Sequence, residues 1–220
     1  MNILTTRLRL SGYPSRALSR RAAALLLATV GASWLSACAP LLVGGAMVGG
    51  ALVATDRRTA GTQLEDEAIE LKASYRAREA SPAGHVNVTS YNRMALITGE
   101  VPSDADRKAV EQVVAKVENV RSVVNELAVA GNSALGVRSS DTLISGKVKA
   151  SFIDAKDLQV QTIKVTTERG VVYLMGLATE REAARAAEVA RAVSGVQKVV
   201  RVFELISEAE LAALLPKANR

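Results

Sequence analysis

The chain reads as an α+β protein of two tandem αββαβ modules, each a three-stranded mixed sheet packed by two helices, behind a lipoprotein signal peptide. Three observations predict this. Residues 62–206 contain the same design twice. Within each copy the apolar period passes from helical to alternating and back. The first 37 residues carry arginines, then an apolar run, and not one acid.

The leader holds Arg7, Arg9, Arg16, Arg20 and Arg21, followed by apolar residues from Ala22 to Leu35, the charged and hydrophobic regions of a secretory signal. It ends in Leu35-Ser36-Ala37-Cys38, which contains the only cysteine. The tetrad resembles a bacterial lipobox, in which the thiol is acylated and the cysteine becomes the first residue of the mature chain. Trp34 would leave with the leader. Ser19-Arg20-Arg21 also suits twin-arginine export, so the route stays open. Behind Cys38, the run Leu41–Ala54 is interrupted by Gly44, Gly45, Gly49 and Gly50 and is shorter than the roughly 20 residues of a membrane-spanning helix. It reads as a glycine-rich tether, with a glycine-zipper contact between copies as the alternative.

Processing changes the charge argument. The whole chain has 28 lysines and arginines against 22 acids; without residues 1–37 the count is 23 against 22. A domain that binds nucleic acid through phosphates keeps a basic face, so nucleic acid is excluded as a partner. With one cysteine, internal disulfides and cysteine-rich metal sites are excluded too.

The repeat matches residue by residue. Leu71–Tyr75 aligns with Val148–Phe152, and Val86–Thr89 with Ile163–Thr166, both 77 residues apart. That offset holds to Gly99 and Gly176 and becomes 76 in the second half. The opening segments, Leu64–Arg78 and Asp141–Ile153, have helical spacing: Leu64, Ala68, Leu71 and Tyr75 in one, Ile144, Val148 and Phe152 in the other. Two β-rich runs follow in each copy, separated by Asn92-Arg93 or Arg169-Gly170, and read as hairpins. Ser103-x-x-Asp106 and Thr179-x-x-Glu182 are capping signatures that open the second helices. Val123–Val129 and Val199–Leu205 alternate as final strands. The organisation is a signal peptide (1–37), an acylated cysteine and tether (38–61), a first module (62–130), a linker (131–138), a second module (139–206) and a tail (207–220). In the tail, Leu211, Leu214 and Leu215 recur at helical spacing.

This order, with a glycine ending each second strand, resembles the BON domain family. The second copy carries the resemblance best, through Lys164–Gly170, Leu174-Met175-Gly176-Leu177 and Thr179–Glu182; Thr55–Gln63 also resembles the approach to a first module. A lipobox followed by two such modules resembles the dual-BON outer-membrane lipoproteins of Gram-negative bacteria. The resemblance implies a non-catalytic envelope protein, placed in the outer membrane facing the periplasm. It implies binding of anionic phospholipid through the second module, with envelope or division-site proteins as further partners. Ala39 after the cysteine, rather than aspartate, fits outer-membrane placement.

The residues themselves suggest where lipid binds. At 100° per residue, the second opening helix buries Ile144, Val148 and Phe152 and turns Leu143, Gly146, Lys147, Ala150 and Ile153 outward, an apolar face with one positive charge. At the 77-residue offset the first copy has Asp66, Ile69, Glu70, Ala73 and Arg76, so only the second suits an anionic bilayer. The alternative is that Leu143 and Ile153 pack against the other module or the tail. Gly99 and Gly176 are expected to be structural, at turns between strand and helix. His85, the sole histidine, has Thr162 as its counterpart, and Asp104 and Asp106 suit a helix N-terminus. No nucleophile–base or metal-ligand set recurs in the copies, so neither a cofactor, a metal nor an enzyme is expected. The rival function is protein binding through edge strands, without lipid recognition beyond the anchor.

Overall fold

The computed structural model describes residues 56–214; Cys38, the leader, the tether to residue 55 and residues 215–220 lie outside the described residues. Module 1 runs α1 (Ala60–Ala80), β1 (His85–Tyr91), β2 (Met94–Val101), α2 (Asp104–Ala115) and β3 (Ser122–Val129). Module 2 runs α3 (Leu135–Asp154), a 3-10 turn (Val160–Thr162), β4 (Ile163–Glu168), β5 (Val171–Ala178), α4 (Glu180–Arg191) and β6 (Lys198–Leu205). A short α5 (Glu208–Leu214) continues into the tail and buries Leu211. Among the described residues no helix is long and apolar enough to cross a membrane.

Both modules have the expected order and mixed sheet. β2 pairs antiparallel with β1 and parallel with β3, and β5 does the same with β4 and β6. The hairpins close on two left-handed residues, Asn92 (φ 50°) and Arg93 (φ 64°) in one, Arg169 (φ 52°) and Gly170 (φ 73°) in the other, the turn whose twist matches paired strands. Ser103 accepts from the Asp106 amide at 3.1 Å. Thr179 and Glu182 complete a reciprocal capping box.

The helices depart from the sequence reading in register. Helix α3 begins at Leu135, inside the expected linker, and α1 begins at Ala60. The buried face of α1 is Asp66, Ile69, Ala73 and Ala77, whereas Leu64, Leu71 and Tyr75, expected inside, are exposed. On α3 the buried residues are Asp141, Ile144, Val148 and Phe152. Corresponding positions of the opening helices are therefore 75 residues apart, not 77, while the hairpin strands keep 77. Two extra residues lie between Phe152 and Ile163 compared with Ala77 and Val86, where the 3-10 turn takes up chain. The likeness of Leu71–Tyr75 to Val148–Phe152 is out of register with packing, so Asp66, Ile69 and Ala73 are core positions and not an outward face.

Each sheet packs its helices on one side. Ile69, Ala73, Val88, Ile97, Val110 and Leu127 belong to the first core, and Ile144, Val148, Phe152, Val165, Leu174 and Ala187 to the second. The other sides of the two sheets meet: Tyr91 and Leu96 pack with Tyr173, Met175, Leu177 and Val202. The layers are helix, sheet, sheet, helix. Both central strands are thus covered on two faces, which accounts for the apolar run of β5 and for the unbroken burial of residues 95–101 in β2.

Gly99 and Gly176 lie within β2 and β5, opposite Val86 and Ile163, rather than at the turn after them. Gly99 has φ +118°, and a Cβ there would sit 1.9 Å from the His85 carbonyl oxygen. At Gly176 a Cβ would meet the Thr162 oxygen at 2.5 Å. Close approach of the neighbouring strand demands glycine in both, and a left-handed φ adds to the demand only at Gly99.

Candidate functional site

Helix α3 turns Leu143, Gly146, Lys147, Ala150 and Ile153 to solvent. Leu143 is 67% exposed and Ile153 66%, so among the described residues neither packs against module 1 or α5. A Cβ at Gly146 would meet nothing within 4 Å. Beside this face an open groove of about 700 Å³ runs between α3 and the end of α4, lined by Lys147, Ala150, Arg185 and Val189 among others. Arg185 is held by Asp157 at 2.8 Å and Glu188 at 3.0 Å. Lys147 enters no ion pair among the described residues.

The packing register gives α1 a different counterpart surface: Ala68, Leu71, Lys72, Tyr75 and Arg78. It too is partly apolar, and acids accompany it. Lys72 pairs with Glu118 at 3.0 Å, and the Tyr75 hydroxyl is pushed up in pKa by its hydrogen bond to Glu79. Helix α1 holds five carboxylates against three cations, and α3 three cations against two carboxylates. The difference in charge between the copies survives when the packed Asp66, Glu70 and Asp141 are set aside, with three carboxylates against three cations on α1 and one against three on α3.

Structural features that the sequence reading assigned no role join the modules. Arg57 donates to both Glu182 oxygens, at 2.8 and 2.7 Å, and to the Leu177 carbonyl at 2.6 Å. Burial alone would raise the Glu182 pKa, but this pair and the Thr179 amide outweigh it and hold the carboxyl below its ordinary value. The segment before module 1 is thereby fastened to module 2. Arg58 lies over the Tyr91 ring at 4.0 Å and bonds Asp66 at 2.7 Å. Across the seam, Asn87 donates to Glu168 at 2.9 Å, Arg121 pairs with Glu204, and Lys164 with Glu70. His85 stands there between Glu100 and Glu168. Its two partners come from different modules, which no motif in the chain signals.

The BON domain family model matches residues 66–131 and 140–206. Outer membrane lipoprotein DolP of Haemophilus influenzae is 36% identical over 191 residues, spanning 85% of this chain and 96% of that protein. A 21 kDa hemolysin of Actinobacillus pleuropneumoniae is 31% identical over 154 residues, 69% of this chain and 79% of its own length. Osmotically-inducible protein Y of Escherichia coli is 28% identical over 144 residues, covering 63% of this chain and 72% of that one.

Proposed function

The chain belongs to the BON domain family through both of its modules, and from that premise we propose that its second module binds anionic phospholipid and so supports envelope integrity, without catalysing a reaction. An outer-membrane, lipid-anchored location facing the periplasm accords with the likeness to DolP over most of both chains. Acylation of Cys38 supplies the anchor; several acyl chains at about 0.8 kcal/mol per buried CH₂ make it effectively permanent. Cys38→Ser should release or misprocess the protein. Unchanged membrane fractionation of that variant, with no acyl mass on the wild type, would count against the anchor.

The outward face of α3 carries the lipid reading. Leu143 and Ile153 are exposed at either end of it, Lys147 stands between them, and Gly146 and Ala150 keep the helix low against a flat surface. Shallow insertion removes part of each apolar side chain from water, where full burial is worth roughly 1.5–3 kcal/mol. Lys147 adds about 1 kcal/mol near an anionic surface. The test is co-sedimentation of the chain lacking its anchor with phosphatidylglycerol-containing vesicles. Leu143→Asp with Lys147→Glu should abolish binding while the circular dichroism spectrum is retained. Undiminished binding by that folded variant transfers recognition to another surface.

A further inference from the structure

We infer that His85, Glu100 and Glu168 form a divalent-cation site of the zinc type that joins the two modules. One donor atom from each residue lies within 4.8 Å of the others. His85 Nδ1 is 3.5 Å from Glu100 Oε2 and 3.9 Å from Glu168 Oε1. Ligands at about 2.0–2.2 Å around a tetrahedral zinc stand roughly 3.4 Å apart, so no pair of donors need close by more than about 1.4 Å.

The cluster is more than a gathering of acids. The Glu100 side chain is 0% exposed and that of Glu168 8%. Glu100 Oε2 and His85 Nδ1 are buried with no hydrogen-bond partner among the described residues. A buried carboxylate oxygen and a ring nitrogen turned toward one another without bonds are costly unless a third species satisfies both. The outer oxygens, by contrast, are already held. Glu168 Oε2 accepts from Asn87 at 2.9 Å; Glu100 Oε1 accepts from Ser133 and faces Arg169 Nε at 3.9 Å. Such outer bonds orient ligating carboxylates and leave the inner oxygens free for the ion.

Donor chemistry and access select the ion. One imidazole and two carboxylates suit zinc, whereas calcium takes six to eight oxygens. A groove of about 360 Å³ bordered by His85, Asn87, Arg138, Thr142 and Glu168 opens onto the site, giving an entry path and room for water as a fourth ligand. His85 lies on β1 and Glu100 on β2, but Glu168 ends β4. The ion would clip module 1 to module 2 at the end of β1 where that strand begins.

The full chain in detergent, stripped with EDTA and titrated with zinc chloride against a chromophoric chelator, tests this. One zinc per chain is expected, with a rise in melting temperature because the ion binds the folded state. His85→Gln and Glu168→Gln, checked for folding by circular dichroism, should each weaken binding at least tenfold and remove the thermal shift. Lys147→Ala should bind as the wild type does. Absence of both stoichiometric binding and the thermal shift in the wild type overturns the site, as does zinc binding of equal affinity in the two ligand variants. If Glu100→Gln fails to fold, Glu168→Gln still decides.

Discussion

In the first module the Asp66 carboxylate accepts from the Asn92 and Arg93 amides at 2.8 and 2.7 Å; in the second, Asp141 accepts from Arg169 and Gly170, both at 2.8 Å. Each buried acid reaches from the opening helix to the hairpin turn and satisfies amides exposed by left-handed residues. The two locks have the same geometry. Around them the helices diverge: Lys72 on α1 pairs with Glu118, whereas Lys147 on α3 enters no ion pair among the described residues and lies beside the exposed Leu143 and Ile153. Packing holds the interior to one pattern, since a shift of a single position would bury the wrong face. The exposed faces carry no such constraint, so the copies can differ there.

The glycines separate the modules most strongly. Gly99→Ala must accommodate both a left-handed φ and a contact of 1.9 Å with a backbone oxygen, and a loss of about 3 kcal/mol or more is expected. Gly176→Ala meets 2.5 Å without the positive φ, so roughly 1–2 kcal/mol is expected. Gly176→Glu, with its larger and charged side chain, should cost more. Chemical denaturation measures the series; equal losses for the two alanine variants would show that neither the φ nor the closer contact at Gly99 adds to the cost.

The locks come next. Asp66→Ala strands two amides and the Ser90 hydroxyl and leaves Arg58 held by Asp56 alone, for a loss of roughly 3 kcal/mol. Asp141→Ala strands two amides, with about 2 kcal/mol expected. A larger loss at Asp141 would reverse the ranking and mean that Asp56 alone suffices for Arg58.

What the sequence disclosed follows the same division between interior and surface. The strands, hairpin turns and caps were legible because glycine, asparagine and the Ser/Thr–acid spacings have local physical causes. The sheet-to-sheet seam has a signal in Val171–Ala178, apolar on both faces, but the run alone does not say which second surface covers it. The face of α1 was misread because Leu71-Lys72-Ala73-Ser74-Tyr75 resembles Val148-Lys149-Ala150-Ser151-Phe152 two residues out of packing register. Buried Asp66 and Asp141, 75 residues apart, hold the true one. His85 gave no signal, since its carboxylates are supplied by a non-adjacent position and another module.

Acid should weaken the seam in a way that distinguishes its carboxylates. Glu182 is held below its ordinary pKa by Arg57 and the Thr179 amide despite burial, and Glu204 by Arg121, with Asn92 helping. A lowered pKa in the fold favours folding above the unfolded value, near 4.3, and that contribution is lost as pH falls through the folded value. Glu168 has the opposite sign, because burial raises its pKa. Its ionisation opposes folding near neutral pH, and the cost fades as the group protonates. Glu182→Gln should therefore cost about 1–2 kcal/mol at pH 7 and converge on the wild type as pH falls through the lowered folded value. In EDTA, Glu168→Gln should gain relative stability at pH 7 and lose that gain in acid. Curves for all three proteins running parallel from pH 7 to 3 would contradict both signs.

The smallest effect bears on the two lysines at equivalent helix positions, Lys72 and Lys147. An unpaired lysine near an anionic bilayer contributes about 1 kcal/mol, a factor of roughly five in vesicle affinity. A lysine already 3.0 Å from Glu118 brings its acid along and contributes little. The helices also lie on opposite outer layers of the sandwich, so a bilayer that meets α3 does not meet α1. Lys147→Ala should then lower affinity for phosphatidylglycerol vesicles about fivefold at low salt and progressively less at high salt, where screening removes the same attraction. Lys72→Ala should leave binding unchanged at every salt concentration. Equal losses from the two substitutions would mean that the charge of the whole protein, rather than the α3 face, sets its approach to the membrane.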